Sequence, residues 1–216
     1  QRAAPHLRVR CLDGARRVGA KILVSGGSRC NVTNRVVTDR DYWGGSPRAI
    51  RAVLRAFPAE RATAFFEDIG VPLHEEADGK LFPDSNSSRT VLDALLREAA
   101  RVGVDIRTGH RVSRVDPVDG RFLIVADGTR TDARAVVLAT GGRSLPKSGS
   151  DGFGYALAKA LGHRCMPTTP ALAPLVLRGD VHRGLSGITH PASLTVGGIR
   201  LEGALLWTHF GISGPV

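Results

Sequence analysis

The stretch that most constrains this chain is Ala135-Val136-Val137-Leu138-Ala139-Thr140-Gly141-Gly142. An apolar run of this kind reads as a buried strand, predicted over 133–138, and it ends in residues too small to cover their own backbone. Ligands of open α/β sheets lie off the carboxyl ends of the strands, which is where Thr140-Gly141-Gly142 falls. Taken alone, the same residues also fit a tight strand-to-loop turn.

The elements around it support a sheet with helices packed on it. Leu7 to Leu12 alternates as a strand and ends at the Asp13-Gly14 turn. Pro47 to Ile69 reads as two helices broken at Phe57-Pro58, because proline disfavours helical geometry in the residue before it. A further turn is expected at Asp78-Gly79. Ser88 reads as the cap of a helix with Val91, Leu92, Leu95, Leu96 and Ala99 on one stripe, closing at Gly103. Short strands follow at 104–107, 111–115 and 122–126, with turns at Asp119-Gly120 and Asp127-Gly128. A helix is predicted over 152–161. Beyond Cys165 the chain is rich in Pro and Gly, with strand-like pieces at 173–177 and 192–196. These patterns predict an α/β fold with a largely parallel sheet over 1–163, and the opening of a β-rich second domain over 164–216.

Composition narrows the function classes. No apolar run approaches the roughly 20 residues of a membrane helix, and the first 15 residues hold no apolar core of a signal peptide. Cys11, Cys30 and Cys165 are widely separated, and no C-x-x-C or H-x-x-x-H pair occurs, so neither a disulfide framework nor a metal site is expected. A reducing cytoplasm is the expected compartment. The formal charge of +10 raises nucleic acid or another polyanion as a partner. Against that, the arginines are scattered, aromatics make up only 5%, and no run of five basic residues exists. Solvated arginine faces are the plainer account, and no nucleic acid or membrane partner is expected.

Asp13 at a strand tip suits the ribose of a dinucleotide, since a carboxylate accepts from two vicinal hydroxyls. It is equally an ordinary turn residue. The segment Lys21-Ile22-Leu23-Val24-Ser25-Gly26-Gly27-Ser28-Arg29-Cys30-Asn31-Val32-Thr33-Asn34 adds a loop of glycines, hydroxyls and amides with almost nothing to fill a core. In order, Asp13, this loop and Ala139-Thr140-Gly141-Gly142 match the plan of an FAD-binding domain.

Residues 21–34 resemble the signature K-hydrophobic-x-x-S-G-G-G-R-C-N-x-T-N of the BaiN-like bacterial flavoproteins, the NAD(P)/FAD-dependent or aminoacetone-oxidase-family enzymes. Phe65-Phe66-Glu67, Gly70-Val71-Pro72, Phe82-Pro83, Leu138 to Gly142, Pro146 to Gly152 and Thr208 to Pro215 continue the resemblance across nearly the whole chain. It implies a Rossmann-like FAD-binding domain, incomplete here, with the start of an inserted β-rich substrate domain. Members of that family begin with a strand and a G-x-G-x-x-G loop and continue beyond Gly214-Pro215, so the chain reads as an internal fragment. Ser28 stands where the family has a third glycine, and Asp13 where it has glutamate.

The resemblance implies FAD as cofactor, NAD(P)H as electron donor and a small-molecule acceptor, such as a conjugated C=C bond of the kind met in dehydro-bile-acid reduction. It places Asp13, Lys21, Ser25, Gly26, Gly27, Arg29, Cys30, Asn31, Val112, Ala139, Thr140, Gly141 and Gly142 at the cofactor. Arg29, Lys21 or Arg16 would neutralise pyrophosphate or flavin charge. Arg35 stands five residues after Cys30, so the dithiol of disulfide-reductase flavoproteins cannot form there. Cys30 and His209 remain candidate catalytic groups, with Tyr155 as a second proton donor, although packing explains each as well. A cofactor-free remnant of such a flavoprotein and a basic nucleic-acid-binding protein stay open.

Overall fold

A computed structural model describes residues 2–42, 44–76, 79–170 and 172–214. The chain divides into two compact units, 1–164 and 165–216. Among the described residues no helix is long and apolar enough to cross a membrane.

The first unit carries the helices α1 (Ala20–Val24), α2 (Pro47–Ala56), α3 (Ala59–Asp68), α4 (Ser88–Arg101) and α5 (Phe153–Ala160). Ser46 caps α2 by accepting from the Ala49 N–H, and Pro47 occupies the first turn, where no N–H is needed. Phe57 leaves helical geometry at φ −143, ψ 80, as a residue before proline must, and this separates α2 from α3. Ser88 does not cap α4. The capping position belongs to Ser87, and the buried Ser88 hydroxyl instead donates to the Leu23 carbonyl at 3.1 Å, fastening α4 to α1. Gly19 lies against Leu92 with no room for a side chain, so the two helices meet closely there.

Strand β1 (Arg10–Asp13) pairs in parallel with β5 (Asp105–Thr108), Arg10 facing Asp105 and Asp13 facing Thr108. The other two sheets of this unit are antiparallel. One orders β2 (Thr33–Asn34), β4 (Lys80–Pro83) and β3 (Leu73–Glu75) side by side in that sequence; the other is the meander β6 (Val112–Val118), β7 (Arg121–Ala126) and β8 (Thr129–Ala133). Among the described residues parallel pairing is therefore confined to β1–β5, a smaller share than the largely parallel sheet predicted. Cys30, Val71, Val91 and Ala94 form a buried core, with Ile22, Val32, Phe66 and Leu95 packed around it.

The strand expected over 133–138 is not formed. The Asp127-Gly128 turn returns β8 against β7 and ends it at Ala133. Residues 135–142 then run outside any strand, with Val137 88% exposed. An apolar run becomes a buried strand only when both its edges are paired, and among the described residues nothing pairs with this one. The expected Asp78-Gly79 turn lies partly outside the described residues.

The second unit is one antiparallel sheet in the order β10 (Thr189–Val196), β11 (Ile199–Thr208), β12 (Gly211–Ser213) and β9 (Leu175–Val176). Gly197 and Gly198, at φ 56 and 80, make the two-residue hairpin between its longest strands.

Val91 is 2% exposed and packs at the centre of the helical core. Val91→Ala is expected to destabilise the first unit by about 2 kcal/mol through lost contacts and a partly unrelaxed cavity. Urea unfolding followed by far-UV circular dichroism checks this, and an unchanged midpoint contradicts it.

Candidate functional site

After α1 the backbone turns the wrong way for L-amino acids. Gly26 (φ 52, ψ 38) and Gly27 (φ 66, ψ 38) are left-handed, and so are Ser28 (φ 67) and Cys30 (φ 66). The glycines adopt this at no steric cost; Ser28 and Cys30 do not. Gly26 is needed twice over, because a Cβ there would lie 2.7 Å from the Asn31 nitrogen. The turn is closed by Cys30 N–H donating to the Ser25 carbonyl at 3.0 Å, and the Ser25 hydroxyl donates to Ile22 at 2.8 Å. Asn31 donates from its amide to the Asn34 side chain at 3.4 Å. Such a chain of left-handed residues carries strain of a few kcal/mol and marks a site where shape is required.

Asp13 ends β1 at its carboxyl end. Its Oδ1 accepts from the Ala15 N–H at 2.8 Å, and among the described residues Oδ2 has no bond. Gly14 packs on the start of the meander, where a Cβ would stand 3.0 Å from the Arg111 Cβ, so the Asp13 turn and Val112 are neighbours. Arg111 continues outward: its guanidinium bonds Asp151 at 2.6 Å and lies 5.2 Å from the Phe153 ring centre.

Lys21 supplies the corresponding link from α1. Its ammonium donates to Ser144 Oγ at 2.6 Å and to Ser150 Oγ at 3.2 Å. The Ser150 hydroxyl is itself so close to Gly141 that a Cβ there would stand 2.9 Å from it. Gly142 abuts the Tyr155 hydroxyl in the same way, at 3.1 Å. Through Ser150 and Asp151 the structure thus joins the Asp13 turn, helix α1, which runs into the glycine turn, and the Thr140-Gly141-Gly142 loop. Asp151 accepts from Phe153 N–H at 2.9 Å. That bond first, and the Arg111 bond second, hold its carboxyl below the usual carboxylate range. Ser144, Ser150, Asp151 and Arg111 were not singled out as site residues by the sequence. The run Ser150-Asp151-Gly152 was its available signal, but only folding reveals which cations reach it.

Three candidates, Arg29, Cys30 and His209, are engaged in other contacts. Arg29 makes a two-pronged pair with Glu76, its second nitrogen at 3.2 Å, and lies 4.3 Å from the Phe82 ring centre. The Arg29 bond holds the Glu76 carboxyl below its usual range, so this cation is already matched. The Cys30 side chain is buried in the core beside Val71 and Val91. His209 belongs to the second unit, at the exposed turn between β11 and β12, edge-on to Phe210 at 4.7 Å.

The exposed parts suit a cofactor that is polar along one edge. Gly26, Gly27, Ala139, Thr140 and Gly141 are exposed, and no atom lies within 4 Å of where a Gly27 Cβ would stand. A free carboxylate oxygen on Asp13, a lysine ammonium and two bare glycine turns are what the sugar and phosphates of a dinucleotide require.

Ser28→Gly is expected to stabilise the chain by roughly 0.5–1 kcal/mol, the left-handed cost less glycine's extra unfolded-state entropy. Denaturant unfolding reads this, and destabilisation would contradict it. The Asp151 carboxyl is expected to titrate below an ordinary aspartate, and to move partway up in Arg111→Gln. Because its folded value is depressed, its contribution to stability is present above about pH 4 and is lost as pH falls through the folded value. Carbon-detected NMR titration checks both statements.

The HI0933-like protein Rossmann domain matches residues 1–205. The 3-dehydro-bile acid delta(4,6)-reductase of Clostridium scindens is 35% identical over 94% of this chain and 51% of its own length. The ribosomal RNA dihydrouridine synthases of Haemophilus influenzae and Escherichia coli are 31% and 32% identical, each over 96% of this chain and 53% of their own. The chain therefore spans about half the length of the curated relatives it matches. With a match running over so much of its length, the chain belongs to the HI0933-like Rossmann family of flavoprotein oxidoreductases.

Proposed function

We propose that the first unit, 1–164, is the FAD-binding part of an oxidoreductase and that residues 165–216 open its substrate domain. The observation that carries this reading is that Ser150 and Asp151 tie together Lys21 of α1, Arg111 beside the Asp13 turn, and the Gly141 loop. When bound, FAD supplies the redox chemistry, a hydride taken from NAD(P)H and delivered to an acceptor. The chain supplies position. Asp13 Oδ2 accepts from ribose hydroxyls, Lys21 balances phosphate charge, and the glycine turns admit the cofactor's edge without side-chain obstruction. The acceptor is a C=C bond conjugated with a carbonyl. A delta(4,6)-dienone and the C5=C6 bond of uridine share that chemistry, and the names of the relatives specify one or the other. Among the described residues Cys11, Cys30 and Cys165 form no disulfide, which suits a reducing cytoplasm.

A second reading of the acceptor has its own support. The charge of +10, with two relatives named for ribosomal RNA, favours an RNA uridine over a small molecule. RNA binding that falls steeply with salt supports it, and NAD(P)H oxidation that responds to a conjugated steroid but not to RNA counts against it.

Titration of the purified chain with FAD, followed by flavin absorbance and fluorescence, tests the main reading. Saturable binding is expected, weakened about tenfold in Asp13→Asn by loss of a charge-assisted hydrogen bond. A chain that stays colourless, or a variant that binds as well as the parent, overturns it.

A further inference from the structure

A cleft of about 140 Å³ lies between the parallel pair β1–β5 and the meander, on a side of β1 that the candidate site does not use. Strand alternation puts Arg10 and Leu12 on one face and Cys11 and Asp13 on the other. Register adds Asp105 opposite Arg10 and Arg107 opposite Leu12. The far wall is formed by Ala126, Thr129 and Thr131, the two threonines two residues apart on β8 and so on one face. His110 lies at the same cleft.

We propose that this cleft binds a phosphate group. Space between two sheets is ordinarily filled by apolar side chains. Here two guanidinium groups, two hydroxyls and an imidazole line it, with Leu12 and Ala126 as the apolar part. Asp105 holds both arginines by their Nε atoms, Arg10 on Oδ2 and Arg107 on Oδ1, each at 2.7 Å. The Arg10 hydrogen bond leads in holding the Asp105 carboxyl below its usual range. One carboxylate against two guanidinium groups leaves one positive charge unmatched. Contact through Nε also leaves the Nη nitrogens of both arginines without a bond among the described residues. Those nitrogens are the paired donors with which arginine grips phosphate oxygens.

The other donors complete the set. His110 Nδ1 lies 2.8 Å from the Thr108 carbonyl, which accepts only, so Nδ1 carries the proton and Nε2 is left for a ligand. In that tautomer Nε2 accepts, which suits the P–OH of a monoprotonated phosphate. Donors from two opposed walls suit a tetrahedral oxyanion better than a planar carboxylate, and the volume has room for a phosphate but not for a base and sugar with it. The phosphate is therefore free or terminal on a larger molecule whose remainder stays outside. Because Asp13 faces the opposite side of β1, this site is separate from the one assigned to the cofactor sugar.

Titration of the chain with inorganic phosphate, read by phosphorus-31 line broadening and by the urea midpoint, tests the proposal without any cofactor. Saturable binding with a raised midpoint is expected for the parent chain. Arg107→Gln is expected to weaken it about tenfold and Thr131→Val a few-fold, with circular dichroism unchanged in both. Arg107 is half-exposed, so its variant keeps the fold and the comparison stands. Displacement of phosphate by adenosine monophosphate but not adenosine assigns the group to a nucleotide; displacement by an oligoribonucleotide without terminal phosphates contradicts a free or terminal group. No saturable binding by the parent chain, or equal binding by both variants, overturns the proposal.

Discussion

Two neighbouring side chains, Ser150 and Asp151, receive cations from opposite ends of the first unit. Lys21 reaches Ser150 across 129 residues of sequence, and Arg111 reaches Asp151 across 40. Neither bond is worth much as an exposed ion pair, since such contacts contribute roughly 0–1 kcal/mol. Their importance is geometric. Ser150 is buried beside Gly141, with its hydroxyl where a Gly141 side chain would stand, and Asp151 is tied to the first turn of α5 by the Phe153 N–H. Helix α1 and strand β6 are therefore indexed to the same two residues, and the glycine turn and the Asp13 turn inherit their positions from them. A loop that forms no strand of its own is located by what binds to it.

The charge on the chain divides in a similar way. Arg29 is matched by Glu76 and lies on Phe82, Arg51 by Asp39, and Arg101 by Glu98. Such pairs account for many of the arginines that composition alone presents as a uniform positive field. Among the described residues pairing is incomplete at both proposed sites: one carboxylate stands between Arg10 and Arg107, and the Lys21 ammonium is bonded to hydroxyls. Net charge says little about these places because it sums matched and unmatched cations alike.

Local rules made much of this legible in advance. The break at Phe57-Pro58, the stripe of α4, the meander turns at Asp119-Gly120 and Asp127-Gly128, and the end of α4 at Gly103 all follow from backbone preferences of single residues, and all are found. The losses occur where pairing decides. Val136-Val137-Leu138 has the composition of a buried strand and, among the described residues, no partner, whereas β11 contains Gly203 and a Leu-Leu-Trp run without clean alternation, yet pairs with β10 from Ile199 to Leu206. In the site, the glycine turn was visible as composition, but its left-handed course through Ser28 and Cys30 was not, because neither residue prefers that geometry. The turn forces it, and burial of the Cys30 side chain beside Val71 and Val91 anchors the end of the turn.

Strand β1 shows how tightly these features are coupled. It has four residues, and its alternation sends Arg10 and Leu12 to one side and Cys11 and Asp13 to the other. The Cys11 thiol is pushed up, by burial first and by the Asp13 charge second, so it stays a neutral neighbour to the carboxylate. A slip of one residue against β5 would exchange the two sets, carrying a carboxylate into the basic cleft and an arginine to the cofactor side. Several contacts resist that slip together. The Arg10–Asp105 pair crosses the two strands in this register, the His110 N–H donates to the Asp13 carbonyl at 2.9 Å, and Gly14 lies so close to Arg111 that an added Cβ would stand 3.0 Å from the Arg111 Cβ. The Arg10–Asp105 salt bridge therefore acts chiefly on alignment: it is weak as a source of stability, but with the other two contacts it decides which face of a four-residue strand meets which ligand.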